Sequence, residues 1–70
     1  MANRWDVTVK GRNHEIRLDR AENGKQVIRV DGRVAAKPIG DDEFERRFAV
    51  DGFDYVLTRT AGNTFDVTPA

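Results

Sequence analysis

Apolar and polar residues alternate in short runs along the chain, and a glycine closes most runs after roughly eight to twelve residues. A period of two marks a strand with one buried face, and regular turn glycines join such strands into antiparallel hairpins. In the first run Trp5, Val7 and Val9 are apolar, while Arg4, Asp6, Thr8 and Lys10 are polar. In the second, Ile16 and Leu18 share one face, and Glu15, Arg17 and Asp19 share the other. With Lys10 to Asn13 as the loop, Val9 pairs with His14, Val7 with Ile16 and Trp5 with Leu18.

Glu22, Asn23 and Gly24 suit a three-residue hairpin loop, which wants a left-handed residue last. Pairing Ala21 with Lys25 then sets Leu18 opposite Ile28 and Ile16 opposite Val30, so the third strand shares the buried face. Asp31 and Gly32 read as a two-residue primed turn. A fourth strand, about Val34 to Pro38, is weaker: strict pairing brings Ala35 and not Val34 onto the core side, and Pro38 suits an edge or an end. A bulge or a short edge strand is expected there.

The second half repeats the logic. A turn at Asp51 and Gly52 pairs Val50 with Phe53, Phe48 with Tyr55 and Phe44 with Arg59. A loop of Thr60, Ala61 and Gly62 places Phe65 opposite Leu57 and Val67 opposite Tyr55. The resulting apolar face is Phe44, Phe48, Val50, Phe53, Tyr55, Leu57, Phe65 and Val67. It requires a partner, and the face formed by Trp5, Val7, Val9, Ile16, Leu18, Ile28 and Val30 supplies one. Residues 41–48 also carry a helical signal, since Asp42 with Glu45 resembles a capping box and Phe44 with Phe48 has helical spacing. The strand is preferred because its period continues into Phe53. The fold class is therefore all-β, a small antiparallel sandwich or flattened barrel of about six to seven strands in meander order.

Seventy residues make one domain, 1–70, which buries only about 60% of the surface its unfolded chain exposes. The chain has no cysteine, so neither disulfides nor Cys-based zinc can support it. No apolar run approaches the roughly 18 residues of a membrane span, and the start lacks the apolar stretch of a signal peptide. A soluble, cytoplasmic chain with no membrane association is expected. Twelve basic residues balance twelve acidic ones. Zero net charge argues against affinity built on phosphate neutralisation, and it eases self-association.

In one line, Trp5, Val7, Val9, Gly11, His14, Ile16, Leu18, Gly24, Lys25, Ile28, Val30, Asp31 and Gly32, then Phe48, Val50 and Gly52, resemble the domain of the Fas apoptotic inhibitory molecule family. Its repeats carry a Trp-x-Val opening, a Gly-x-x-His-x-Ile-x-Leu hairpin and a Gly-then-Val-Asp-Gly hairpin. The resemblance covers most of the chain, most strongly Trp5 to Gly32. It implies a compact antiparallel sandwich without enzymatic activity. The animal members have two such domains and are tied to death-receptor signalling and protection against aggregation, whereas this chain has one domain and is shorter between Asp31 and Phe48.

Chemistry-bearing residues are sparse. His14 is the only histidine. Parity points it inward with Glu15 and Asp31 on the opposite face, so it reads as a structural residue bonded to a loop. Arg17 and Arg29 fall opposite each other on the outer face with Arg33 just past the turn, a candidate surface for an anion or a protein partner. The acidic run Asp41, Asp42 and Glu43 lacks the spread of oxygens that a hard cation needs. Arg46 falls on the inner parity, where it either snorkels to an edge or marks a subunit contact. No catalytic, metal or cofactor constellation emerges. The leading expectation is a non-enzymatic protein-interaction module of unidentified partner, with a weak homodimer through an edge strand or an apolar patch near Arg46. The alternative is a small nucleic-acid-binding barrel using Arg17, Arg29 and Arg33.

Overall fold

A computed structural model describes residues 3–62 and 64–70. They form seven strands: β1 (Arg4–Val9), β2 (Arg12–Arg20), β3 (Gln26–Val30), β4 (Arg33–Val34), β5 (Glu45–Val50), β6 (Phe53–Ala61) and β7 (Thr64–Pro69). Strands β1 to β4 make one antiparallel sheet in chain order, and β5 to β7 make a second. Among the described residues no strand pairs across the two sheets, so the molecule is a sandwich and not a closed barrel. No helix is long and apolar enough to cross a membrane among those residues.

The core is drawn from both inner faces. Val9, Ile16, Leu18 and Ile28 of the first sheet meet Phe48, Val50, Leu57 and Phe65 of the second, with Trp5, Val7, Val30, Tyr55 and Val67 packed around them. Phe48 and Tyr55 stack with ring centroids 6.1 Å apart. This is the inward parity expected from the pattern. The expectation fails at the strand ends: Phe44 is 70% exposed and Phe53 52% exposed, because parity sets direction but not depth. Phe53 lies near the first hairpin, with Lys10 Nζ 5.8 Å from its ring.

Three hairpins close on two-residue turns whose residues both have positive φ: Lys10 and Gly11, Asp31 and Gly32, Asp51 and Gly52. Such turns match the twist of the flanking strands. The first of them corrects the expected loop. Lys10 adopts φ 52, so the turn ends at Gly11, and Val9 pairs with Arg12, Val7 with His14 and Trp5 with Ile16. The face is unchanged, since the register slides by an even number of residues. The last hairpin slides in the same way. β6 continues to Ala61, which pairs with Thr64 after a bulge, so Phe65 lies opposite Arg59 and Val67 opposite Leu57. The middle hairpins keep their expected registers, with Leu18 opposite Ile28, Ile16 opposite Val30, Phe48 opposite Tyr55 and Val50 opposite Phe53.

Strand β4 is short, as expected at that edge. Val34 points out, and Ala35 turns in, its N–H donating to Ile28 O at 2.9 Å. The chain then crosses between the sheets, and Ile39 enters the core at 1% exposure, exchanging both backbone bonds with Gln26 at 2.7 and 2.9 Å. Nothing in the alternation pattern indicates Ile39. Residues 41–48 contain no helix: a turn at Asp41 and Asp42 leads into β5, with Arg59 N–H donating to Phe44 O at 2.6 Å.

Candidate functional site

Three places gather the chemistry-bearing residues. At the first, the turn after β3 brings Asp31 beside the start of β2. Asp31 Oδ2 accepts from His14 Nδ1 at 2.6 Å, and Asp31 Oδ1 accepts from the Glu15 N–H at 3.0 Å. The Asp31 N–H in turn donates to Glu15 O at 2.8 Å. These bonds hold the Asp31 carboxyl below its usual range, the His14 hydrogen bond most of all and the Glu15 N–H next, aided by the charges of His14 and Arg33 against a desolvation cost. The expectation that Asp31 faces away from His14 is therefore corrected. Asp31 has left the strand at φ 52, and strand alternation no longer governs its side chain.

An ionised carboxylate only accepts hydrogen bonds, so His14 Nδ1 carries the hydrogen. The other ring nitrogen, Nε2, is buried without a partner. Beside this pair lies an open groove of about 560 Å³ between β4 and the end of β5, with Arg33 and Ala35 on one bank and Ala49 and Asp51 on the other. Its lining offers no serine, threonine, cysteine or lysine to serve as a nucleophile. The His14–Asp31 pair ties the turn after β3 to the start of β2.

The second place is the outer face of the first sheet. Arg17 lies between Arg4 and Arg29 in one cross-strand row. Arg33 is not in the row. It pairs with Val30 in register, on the opposite parity, and belongs to the groove. Arg4 Nε lies 2.8 Å from Glu15, and Arg29 Nε lies 3.3 Å from Asp19. A hollow of about 400 Å³ here is lined by Arg4, Glu15, Arg17, Asp19 and Arg20, with no aromatic ring among its walls. Two arginines of this face are thus paired with carboxylates, Arg17 and Arg20 are in no ion pair among the described residues, and the hollow offers no ring for base stacking.

The third place concerns Arg46. Its Nη2 lies 2.5 Å from Glu43 Oε2 and donates to Pro38 O at 3.2 Å, while Nε is buried without a partner. Glu43 also accepts from the Gly40 N–H at 3.0 Å, the main cause of its lowered pKa, with Arg46 and Lys25 contributing against desolvation. The inward charge is therefore paired within the chain. Arg59, which sequence reasoning did not single out, completes the clasp: Nε donates to Glu43 O at 3.1 Å and Nη2 to Gly40 O at 3.2 Å. Its guanidinium also covers the Phe65 ring at 4.6 Å. An arginine on the inner parity of β6 was the available signal.

Among the described residues no group of three or more His, Cys, Asp or Glu side chains is placed to hold a metal ion. Comparison of the chain with known families, with curated proteins and with solved structures finds no match.

Proposed function

We propose that the protein is a non-enzymatic interaction module that takes an extended segment of a protein partner along the free side of β5. The observation that carries this reading is the unpaired backbone of that strand beside the groove. Arg59 N–H donates to Phe44 O, and antiparallel ladders alternate. Residues 44, 46, 48 and 50 therefore bond to β6, and Glu45, Arg47 and Ala49 turn their backbone groups outward. β4 is only two residues long, so it leaves space beside them. Strand addition at such an edge takes affinity from backbone hydrogen bonds and selectivity from flanking side chains. Here Ala35 and Ala49 favour small apolar groups, and Arg33 and Asp51 on opposite banks offer one charge of each sign.

The reading accords with the resemblance to the Fas apoptotic inhibitory molecule domain, to which we take the chain to be related. The absence of cysteine supports a cytoplasmic setting. Selection of extended peptides from a displayed library tests the function. Binding should protect the Arg47 and Ala49 amides from exchange, and Ala49→Pro should abolish it, since that N–H faces away from β6. Peptides that bind Ala49→Pro as well as the parent would overturn the reading. Retarded migration of single-stranded nucleic acid at low ionic strength, lost on Arg17→Ala, would favour the alternative.

A further inference from the structure

A sandwich has four strand edges, and here they are guarded unequally. β4 is two residues long and is followed by Lys37 and Pro38. On β7, Ala70 N–H donates to Asp54 O, so alternation leaves Phe65, Val67 and Pro69 on the free side, where Pro69 has no N–H to offer. The start of β5 is strapped by the Arg46 contacts to Pro38 and Glu43. β1 has no such device: its six residues contain no proline, no glycine and no bulge. Leu18 N–H donates to Asn3 O at 2.9 Å, and Val9 pairs with Arg12 across the turn. Odd-numbered residues therefore bond to β2, and Arg4, Asp6 and Thr8 present their backbone groups to solvent.

We propose that β1 is a self-recognition edge, pairing antiparallel with β1 of a second copy about a two-fold axis at Trp5. The occupant follows from charge. Inner faces must stay on one side, so the two-fold can fall only on a residue. At Asp6 it sets that carboxylate against its own copy. At Val7 it sets Asp6 against Thr8 and carries Arg4 past the partner's strand end, where it meets no carboxylate. At Thr8 it leaves only Val7 to Val9 to pair, because Lys10 has turned away at φ 52. At Trp5 it sets Arg4 opposite Asp6 twice, and the two half-buried indoles meet at the axis.

Trp5 occupies a non-hydrogen-bonded pair at that interface, where side chains approach most closely. The Arg4 Nε is already held by Glu15 at 2.8 Å, which leaves its two terminal nitrogens for the partner's carboxylate. Two four-stranded sheets become one continuous sheet, and zero net charge removes long-range repulsion between the copies. The contact is small, so the dimer is weak.

The proposal concerns a different edge from the β5 groove, and the two fail separately. Sedimentation equilibrium from about 10 µM to about 1 mM is the test. Asp6→Arg alone and Arg4→Asp alone should each weaken the dimer about tenfold or more by placing like charges opposite each other, and the double exchange should restore it. All these positions are exposed, and circular dichroism checks that each variant folds. A constant monomer mass throughout, or a dimer indifferent to the charge reversals, overturns the proposal. A dimer lost on Ala49→Pro but kept on Asp6→Arg assigns self-association to β5 and overturns it too.

Discussion

Ile39 offers the sharpest test of how the core is assembled, because it comes from a connecting segment and not from a strand of either sheet. It is 1% exposed and lies among the residues of both inner faces. Ile39→Ala removes three carbons. At about 0.8 kcal/mol for each buried methylene, the transfer loss is about 2.4 kcal/mol, and the cavity left behind adds to it. The surroundings can relax only in part. The segment is fixed on one side by two backbone bonds to Gln26 and on the other by Arg46 and Arg59. A loss of about 3–4 kcal/mol is therefore expected, close to the whole stability of a domain this small. Ile39→Val removes one carbon and should cost about 0.5–1.5 kcal/mol, leaving a folded protein to measure. Urea unfolding followed by Trp5 fluorescence reads both variants. Val34→Ala, at a 58% exposed position, serves as the control and should stay within about 0.5 kcal/mol of the parent. An Ile39→Ala protein as stable as this control would show that the crossing segment is not part of the core.

Phe48→Ala should leave the chain largely unfolded, with a loss of about 3–5 kcal/mol, whereas Phe44→Ala at a 70% exposed position should shift stability by less than about 0.5 kcal/mol; amide dispersion separates the two. Gly24 has φ +84 and open space around an added Cβ, so Gly24→Ala meets only backbone strain of about 1 kcal/mol, seen as a melting temperature lower by about 4–8 °C. The Asp31 and Glu43 carboxyls are lowered in the folded state, so their contribution to stability is present above about pH 4 and is lost as pH falls through the folded values. Asp31→Asn keeps a residue that tolerates the left-handed turn and should flatten that acid limb of a pH titration of stability; an unchanged limb would refute the assignment.

Direction was legible in the sequence and position along the strand was less so. Alternation assigns Trp5, Val7, Ile16, Leu18, Phe48 and Leu57 to one side because a pleated strand leaves no other choice. A slip of two residues preserves every one of those assignments, so the pattern cannot see it. Only the turn fixes register, and a lysine at positive φ before Gly11 is a weak turn signal compared with Asp31–Gly32 or Asp51–Gly52. Depth is invisible for a similar reason. Phe44 and Phe48 share a parity, but Phe48 sits mid-strand under the opposite sheet and Phe44 precedes the strand. Ile39 was missed because a crossing segment has no period. Asp31 was assigned to the wrong side of His14 because alternation stops at the turn. Arg46 looked unpaired because its partner, Glu43, lies in the irregular stretch just before the strand.

The same bookkeeping of partners indicates where function has room to reside. Arg4 with Glu15, Arg29 with Asp19, Arg46 with Glu43 and His14 with Asp31 are matched within the chain. Backbone groups along β1 and along β5 also face solvent. β1 and β4 are the two opposite margins of the first sheet, and the groove that exposes β5 lies at β4. Pairing two copies through β1, as proposed, would leave both grooves open, and the dimer would present two sites for extended segments. A partner carrying two such segments would be held by avidity, its second contact governed by the spacing of the grooves. Weak self-association then has a use. On the two proposals together, a single chain at low concentration would bind one segment loosely, and near the dimer's dissociation constant the paired grooves would select partners with repeated segments.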